Sequence, residues 1–191
     1  FPDDFDHFEP YLEKSFQRLP LLETAGIRKF FSGPESFTPD TQYLLGETPE
    51  VNNLFVCCGF NSIGIASSGG AGRVTAEWMI NGYMNEDLFS LDIKRFQKFH
   101  SSKKFIMERV TETLGDLYGM HWPYKQHKTS RNQRLLPYHE ELKKEGACFG
   151  VSGEYERPMW YALKNEKPEY KYSFNYQNWY PSVEFETKNT V

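Results

Sequence analysis

Residues 54–72, LFVCCGFNSIGIASSGGAG, constrain the fold of this chain more than any other stretch. A short apolar run rich in strand-forming side chains ends at Gly59, a loop of small residues follows, and Val74 and Trp78 with the row Ala71, Thr75 and Met79 then recur at helical spacing. Gly82 closes that pattern as a helix stop. The order is therefore strand, small-residue loop over residues 61–70, and a helix beginning near Gly70. A helix entered from such a loop leaves its first backbone N–H groups unpaired, and these attract negative charge.

The ligands that suit this terminus are a phosphate, a carboxylate, or the N1–C2=O edge of a flavin, where charge accumulates when the ring accepts a hydride. A glycine loop that merely lets a helix pack closely on a sheet has the same spacing. A dinucleotide fingerprint does not fit. Gly70 and Gly72 make G-x-G and Asp92 lies further on, but Thr75 occupies the third glycine position and about ten residues separate the strand from Gly70. A nucleophile elbow fails too, because Ser62 has Gly64 after it but Phe60 where the preceding glycine belongs.

Charge narrows the classes further. With 22 Lys+Arg against 26 Asp+Glu, the net charge of −4 gives no footprint for a nucleic acid. No apolar stretch approaches the ~20 residues of a membrane-spanning helix, so no membrane partner is expected. Cys57, Cys58 and Cys148 cannot form a disulfide framework and fit a reducing compartment. Cys58, beside the glycine loop, is either a reactive thiol or, as its apolar strand suggests, an inert buried one. His7, His100, His121, His127 and His139 show no i, i+4 pairing and no nearby cysteine pair; they read as surface or interface residues, with no metal site. The opening at Phe1, without an initiator Met or a presequence, and an end without a helix cap read as a piece of something longer.

Elsewhere the pattern predicts one amphipathic helix over residues 3–19 and strands over 27–32, 42–45 and 54–58. A connector spans 88–99. Ser101 or Ser102 caps a second helix whose stripe is Ile106, Val110, Leu114 and Leu117. Residues 121–137 read as an exposed linker or irregular loop, and 138–146 as a short charged helix stopped by Gly146. The aromatic run from Trp160 to Phe185, interleaved with lysines, is either sheet and core packing or a stacking platform for bases or pterins.

A series of motifs identifies a resemblance: Ser32-Gly33-Pro34-Glu35-Ser36-Phe37-Thr38-Pro39-Asp40, Gly46-Glu47-x-Pro49-Glu50, Gly59-Phe60-Asn61-Ser62-x-Gly64, Gly69-Gly70-x-Gly72, Ala76-Glu77-Trp78 and Asp92-Ile93-x-Arg95-Phe96. His139-Glu140-Glu141-Leu142, Gly146-Ala147-Cys148-Phe149 and Glu156-Arg157-Pro158-x-Trp160 continue it over nearly the whole chain. In this order they resemble the sarcosine and dimethylglycine dehydrogenases, whose architecture a phosphatase regulatory subunit shares.

The resemblance implies an α+β fold: the C-terminal part of an amino-acid-oxidase-type FAD oxidoreductase domain over residues 1–92, with an antiparallel-rich sheet and a flavin-facing helix. A small central α/β module over 93–150 and the start of an aminomethyltransferase-like folate domain over 151–191 would follow. It further implies FAD and tetrahydrofolate as cofactors, a small N-methylated amino acid as substrate, and a bacterial cytoplasmic or mitochondrial-matrix setting. The cofactor-binding candidates are Gly59, Phe60, Asn61, Ser62, Ile63, Gly64, Ile65, Gly69 and Gly70. Related amine oxidases place a substrate-holding lysine after this loop; here the position is Ala66, and no catalytic acid or base is assigned. The alternatives are a non-catalytic regulatory subunit and an interaction module without ligand.

Overall fold

The computed structural model describes residues 1–119 and 125–190. It separates into two compact units, residues 1–36 and 37–191.

In the first unit α1 spans Phe5–Arg18, starting where the Asp4 carboxylate accepts the His7 N–H at 3.0 Å. Residues 27–32 do not form the expected strand. Among the described residues no strand pairs with them, and Phe30 instead places its ring 5.7 Å from Phe5 and 5.3 Å from Phe8, on the helix.

The second unit opens with an antiparallel pair, β1 (Leu44–Glu47) and β2 (Phe55–Cys58), in the register Leu45↔Cys57. Helix α2 (Gly64–Asn81) follows and ends at Gly82, whose φ of 76° is the left-handed stop expected there. Leu45, Ala71 and Leu91 form a small core, flanked by Tyr43, Phe60 and Leu88. The connector after residue 87 folds back so that the Leu45 N–H donates to Leu91 O at 2.8 Å.

Helix α2 lies on β1 through one tight contact. Gly46 has φ +102°, and a Cβ there would sit 2.4 Å from the Trp78 ring. Glycine is required twice over, by conformation and by space.

Helix α3 (Lys103–Asp116) follows Ser102, which occupies the cap position without a side-chain hydrogen bond. Its buried row is Phe105, Arg109 and Thr113, one position off the expected apolar stripe, and Ile106 and Leu114 are each 40% exposed. The reason is Arg109. Its guanidinium reaches Glu154 at 3.3 Å and the carbonyls of Thr129 and Ser130 at 3.0 and 3.3 Å, so a charged side chain rather than an apolar stripe turns the helix inward.

A three-stranded sheet completes the unit, in the order β3 (Arg134–Leu135), β5 (Tyr155–Tyr161), β4 (Ala147–Ser152), with α4 (His139–Lys144) before β4 and α5 (Tyr180–Asn189) after β5. β4 crosses residue 150 and pairs antiparallel with β5.

The expected exposed linker contains β3; outside that strand its described residues are irregular, and they are tied down. Glu112 accepts the N–H groups of Lys128 and Thr129 at 2.7 and 3.0 Å, and Arg131 forks onto the buried Glu156. His121, in the same stretch, and Val191 lie outside the described residues. No described helix is long and apolar enough to cross a membrane.

Much apolar surface on α2 is open, including Met79 and Ile80.

Candidate functional site

The structure begins α2 six residues earlier than the sequence pattern suggests, at Gly64 rather than near Gly70. Small residues over 64–70 read as loop, but once Ile63 closes a turn on Phe60 O at 3.0 Å and Ser67 donates to Ile63 O at 2.9 Å, nothing stops them continuing as helix. Gly69 and Gly70 therefore lie inside α2, more than a turn beyond its mouth, with open space around each.

The mouth itself is formed by residues 59–65, and the structure brings these seven candidates together. No side chain caps it, so the N–H groups of Gly64, Ile65 and Ala66, at the first three helical positions, keep the free polarity of a helix start. Ile65 is 99% exposed, so the helix start is open at that position.

Three residues around this turn have positive φ: Gly59 at 68°, Asn61 at 49° and Ser62 at 67°. Such a path strains a residue that carries a side chain unless its surroundings hold it. Asn61, 4% exposed, does the holding. Its Oδ1 accepts the Thr38 N–H at 2.9 Å, and its Nδ2 donates to Gly59 O at 2.6 Å and to Thr38 Oγ1 at 3.1 Å.

Asn61→Ala would leave a buried N–H and a carbonyl without partners, and is expected to destabilise the fold by about 2–4 kcal/mol. A thermal unfolding midpoint equal to that of the unsubstituted protein would refute that account of the loop.

Thr38 connects onward. Its Oγ1 lies 2.8 Å from Gln42 O and 3.1 Å from Asp40 Oδ1. Asp40 receives the Arg95 fork, with Nε to Oδ2 at 2.6 Å and Nη2 to Oδ1 at 3.1 Å. Thr38, Asp40 and Arg95 all belong to the motifs that carry the family resemblance, but their partnership spans 55 positions, and no spacing rule exposes it.

The other residues singled out by sequence fall elsewhere. Cys57 and Cys58 are exposed, contrary to the buried thiol expected at Cys58, because the C-terminal half of β2 is left uncovered. Cys148 is the buried one, and burial pushes its thiol up.

Two histidines expected at the surface are buried. His100 packs among Phe96, Phe99 and Phe105, and burial lowers its pKa. His139 lies against Phe149. Among the described residues no cluster of three or more His, Cys, Asp or Glu could hold a metal.

The aromatic run divides. Trp160 is core, Tyr170 and Tyr172 line a cavity of about 790 Å³ beside β4, and Phe174 and Tyr176 are exposed.

Comparison with known proteins gives two family matches. Residues 1–78 match the family described as FAD dependent oxidoreductase, and residues 81–135 match the FAD dependent oxidoreductase central domain.

Three relatives are similar over most of the chain. The 4-methylaminobutanoate oxidase (formaldehyde-forming) of Paenarthrobacter nicotinovorans is 42% identical over 98% of the chain and 23% of its own length. The mitochondrial pyruvate dehydrogenase phosphatase regulatory subunit of Mus musculus is 38% identical over 97% of the chain and 22% of its own length. The mitochondrial sarcosine dehydrogenase of Homo sapiens is 37% identical over 91% of the chain and 19% of its own length. The chain thus spans less than a quarter of each of these relatives.

Proposed function

Since the chain belongs to the FAD-dependent oxidoreductases, a family that includes the sarcosine and dimethylglycine dehydrogenases, we propose that its 59–65 turn holds the electron-rich edge of FAD in a protein that oxidises a small N-methylated amino acid. The observation that carries this reading is the uncapped first turn of α2, fixed from below by Asn61.

The residues present fit such a group. Amides of Gly64, Ile65 and Ala66 offer donors without a competing side chain, Gly59 lets the backbone turn, and Ile65 offers an apolar surface that only a bound partner would cover. Phe60 supports the turn by stacking on Tyr43 with ring centroids 4.8 Å apart. Gly69 and Gly70, further along the helix, carry no side chain and have open space around them.

FAD, when bound, supplies a two-electron acceptor for the hydride of an N-methyl C–H bond. The chain's own contribution is electrostatic. Amide dipoles already in place need no reorganisation when negative charge develops beside them. An amine that binds neutral needs no base, and none is assigned. Ala66 carries no charge, so the substrate carboxylate is recognised by residues outside this turn.

In the finer form of the proposal the substrate is sarcosine or dimethylglycine, hydride loss gives an iminium, and tetrahydrofolate captures its one-carbon unit on an aminomethyltransferase-like domain that residues 151–191 begin. Residues 1–92 would then close the flavin domain and 93–150 form the central module. The similarity to a phosphatase regulatory subunit supports a second reading, in which the same architecture serves a protein partner without turnover.

Anaerobic mixing of the full-length protein with sarcosine, dimethylglycine or 4-methylaminobutanoate separates the readings. Bleaching of the flavin absorbance is expected with one of them. A yellow protein that none of them bleaches favours the regulatory reading, and a protein purified without flavin overturns the FAD assignment.

A further inference from the structure

We propose that Arg95, in the part of the chain that matches the central domain, is a positioning residue for the flavin-facing turn: it acts through Asp40, Thr38 and Asn61 to set where the amides of Gly64, Ile65 and Ala66 stand. The proposal rests on the reading of residues 59–65 as the FAD-edge turn and gives the central domain a task at that site.

The geometry is a relay of four side chains. Arg95 has a side chain 9% exposed, places its guanidinium carbon over the Phe96 ring 4.3 Å from the centroid, and anchors on its own turn through Nη1 to Asp92 O at 3.2 Å. From there Nε and Nη2 grip both oxygens of Asp40, and Nη2 also reaches Gln42 O at 2.8 Å. Asp40 Oδ1 accepts the Gln42 N–H at 3.2 Å and faces the Thr38 hydroxyl. That hydroxyl receives a hydrogen bond from Asn61, whose side chain closes the 59–61 turn.

The two ends belong to different family matches. Thr38, Asp40 and Asn61 fall in the stretch matched to the oxidoreductase domain, and Arg95 in the stretch matched to the central domain. All four relay residues lie in the same compact unit, from residue 37 onward. The relay of hydrogen bonds therefore runs from one family match into the other.

A planar fork is the right device for this. Its two bonds fix both the place and the rotation of the Asp40 carboxylate, which a single ammonium cannot. Strain makes the relay consequential. Asn61 and Ser62 are held at φ 49° and 67°, and the turn has no side-chain cap to hold its helix end. Slackening the carboxylate loosens Thr38 and Asn61, and the amides then drift as a group. Small displacements matter because donors aimed at developing charge lose effect steeply with misalignment.

The test is the reduction potential of the flavin in the full-length holoprotein, a readout that simple loss of stability does not move. Arg95→Gln and Thr38→Val are each expected to shift the oxidised/reduced equilibrium about tenfold toward the oxidised form, which is about 30 mV for a two-electron couple. Arg95→Lys is expected to restore part of the shift. Arg73→Gln removes an exposed cation from α2 that pairs with Glu77 and Glu86 among the described residues, and is expected to leave the potential unchanged.

Thr38→Val separates position from charge, since it alters no charge. If the Arg95 variants shift the potential while a folded, flavin-bound Thr38→Val does not, Arg95 acts only as a charge and the relay is overturned. If Arg95→Gln does not fold, Thr38→Val decides alone. An unsubstituted protein without flavin overturns the FAD reading and the relay together. One that is reduced normally while every relay variant keeps its potential overturns the relay only.

Discussion

Gly46→Ala is expected to destabilise the chain by about 3–5 kcal/mol, the sum of a strained backbone and an overpacked contact. The methyl would sit 2.4 Å from two carbons of the Trp78 ring, and φ at this residue is +102°. Trp78 cannot swing aside without cost, because it is 7% exposed and packs edge-on against Phe55 with centroids 6.0 Å apart. Since β1 carries Leu45, the centre of the small core, its displacement also loosens Ala71 and Leu91. Thermal unfolding measures the effect. Gly115→Ala is the contrast: it lies in α3 with open space around it, and the same substitution is expected to stabilise by about 0.5–1 kcal/mol. Equal midpoints for the two variants would refute the close approach of Trp78 to β1.

Removing Arg131 is expected to be as damaging, about 3–5 kcal/mol for Arg131→Ala, because a buried carboxylate would be left unpaired. Glu156 is 1% exposed and accepts Arg131 Nε at 2.8 Å and the Asn132 N–H at 2.7 Å through one oxygen, while the other takes Arg131 Nη2. The same guanidinium holds His127 O at 3.1 Å and Phe149 O at 2.9 Å, and so ties an irregular segment to both β4 and β5.

The pair also sets a pH dependence. Burial pushes the Glu156 carboxyl up, but the Arg131 and Asn132 hydrogen bonds outweigh it and hold the group below the ordinary 4.5. A carboxylate with a lowered folded pKa contributes stability above its unfolded value, and that contribution is lost as the pH falls through the folded one. Stability is therefore expected to drop on acidification below about pH 4.5, more steeply than in Glu156→Gln. Parallel acid limbs for the two proteins would show that Glu156 is not paired in the folded chain.

Both effects originate in contacts that periodicity does not reveal. The sequence pattern does place α1, β1, β2, the Gly82 stop and α4 within a few residues of their observed bounds, because each rests on local signals such as a cap, a turn or a run of strand formers. It misplaces the start of α2 because small residues carry no hydrophobic period. It selects the wrong face of α3 because Arg109 is buried by ion pairing rather than by apolar character.

At the candidate site the split is the same. Seven of the candidates are contiguous, so their grouping at one turn follows from the chain itself. The residues that hold that turn, Thr38, Asp40 and Arg95, carry the family resemblance without revealing that they touch.

The sequence by itself determined that a strand leads through a glycine-bearing turn into a helix, and that the motifs follow a flavoenzyme order. Only the tertiary structure decided where that helix begins, which charges are buried, and how Arg95 reaches the turn. Local signals depend on neighbours a few residues apart. Close approach and ion pairing depend on residues that meet only when the backbone folds back on itself.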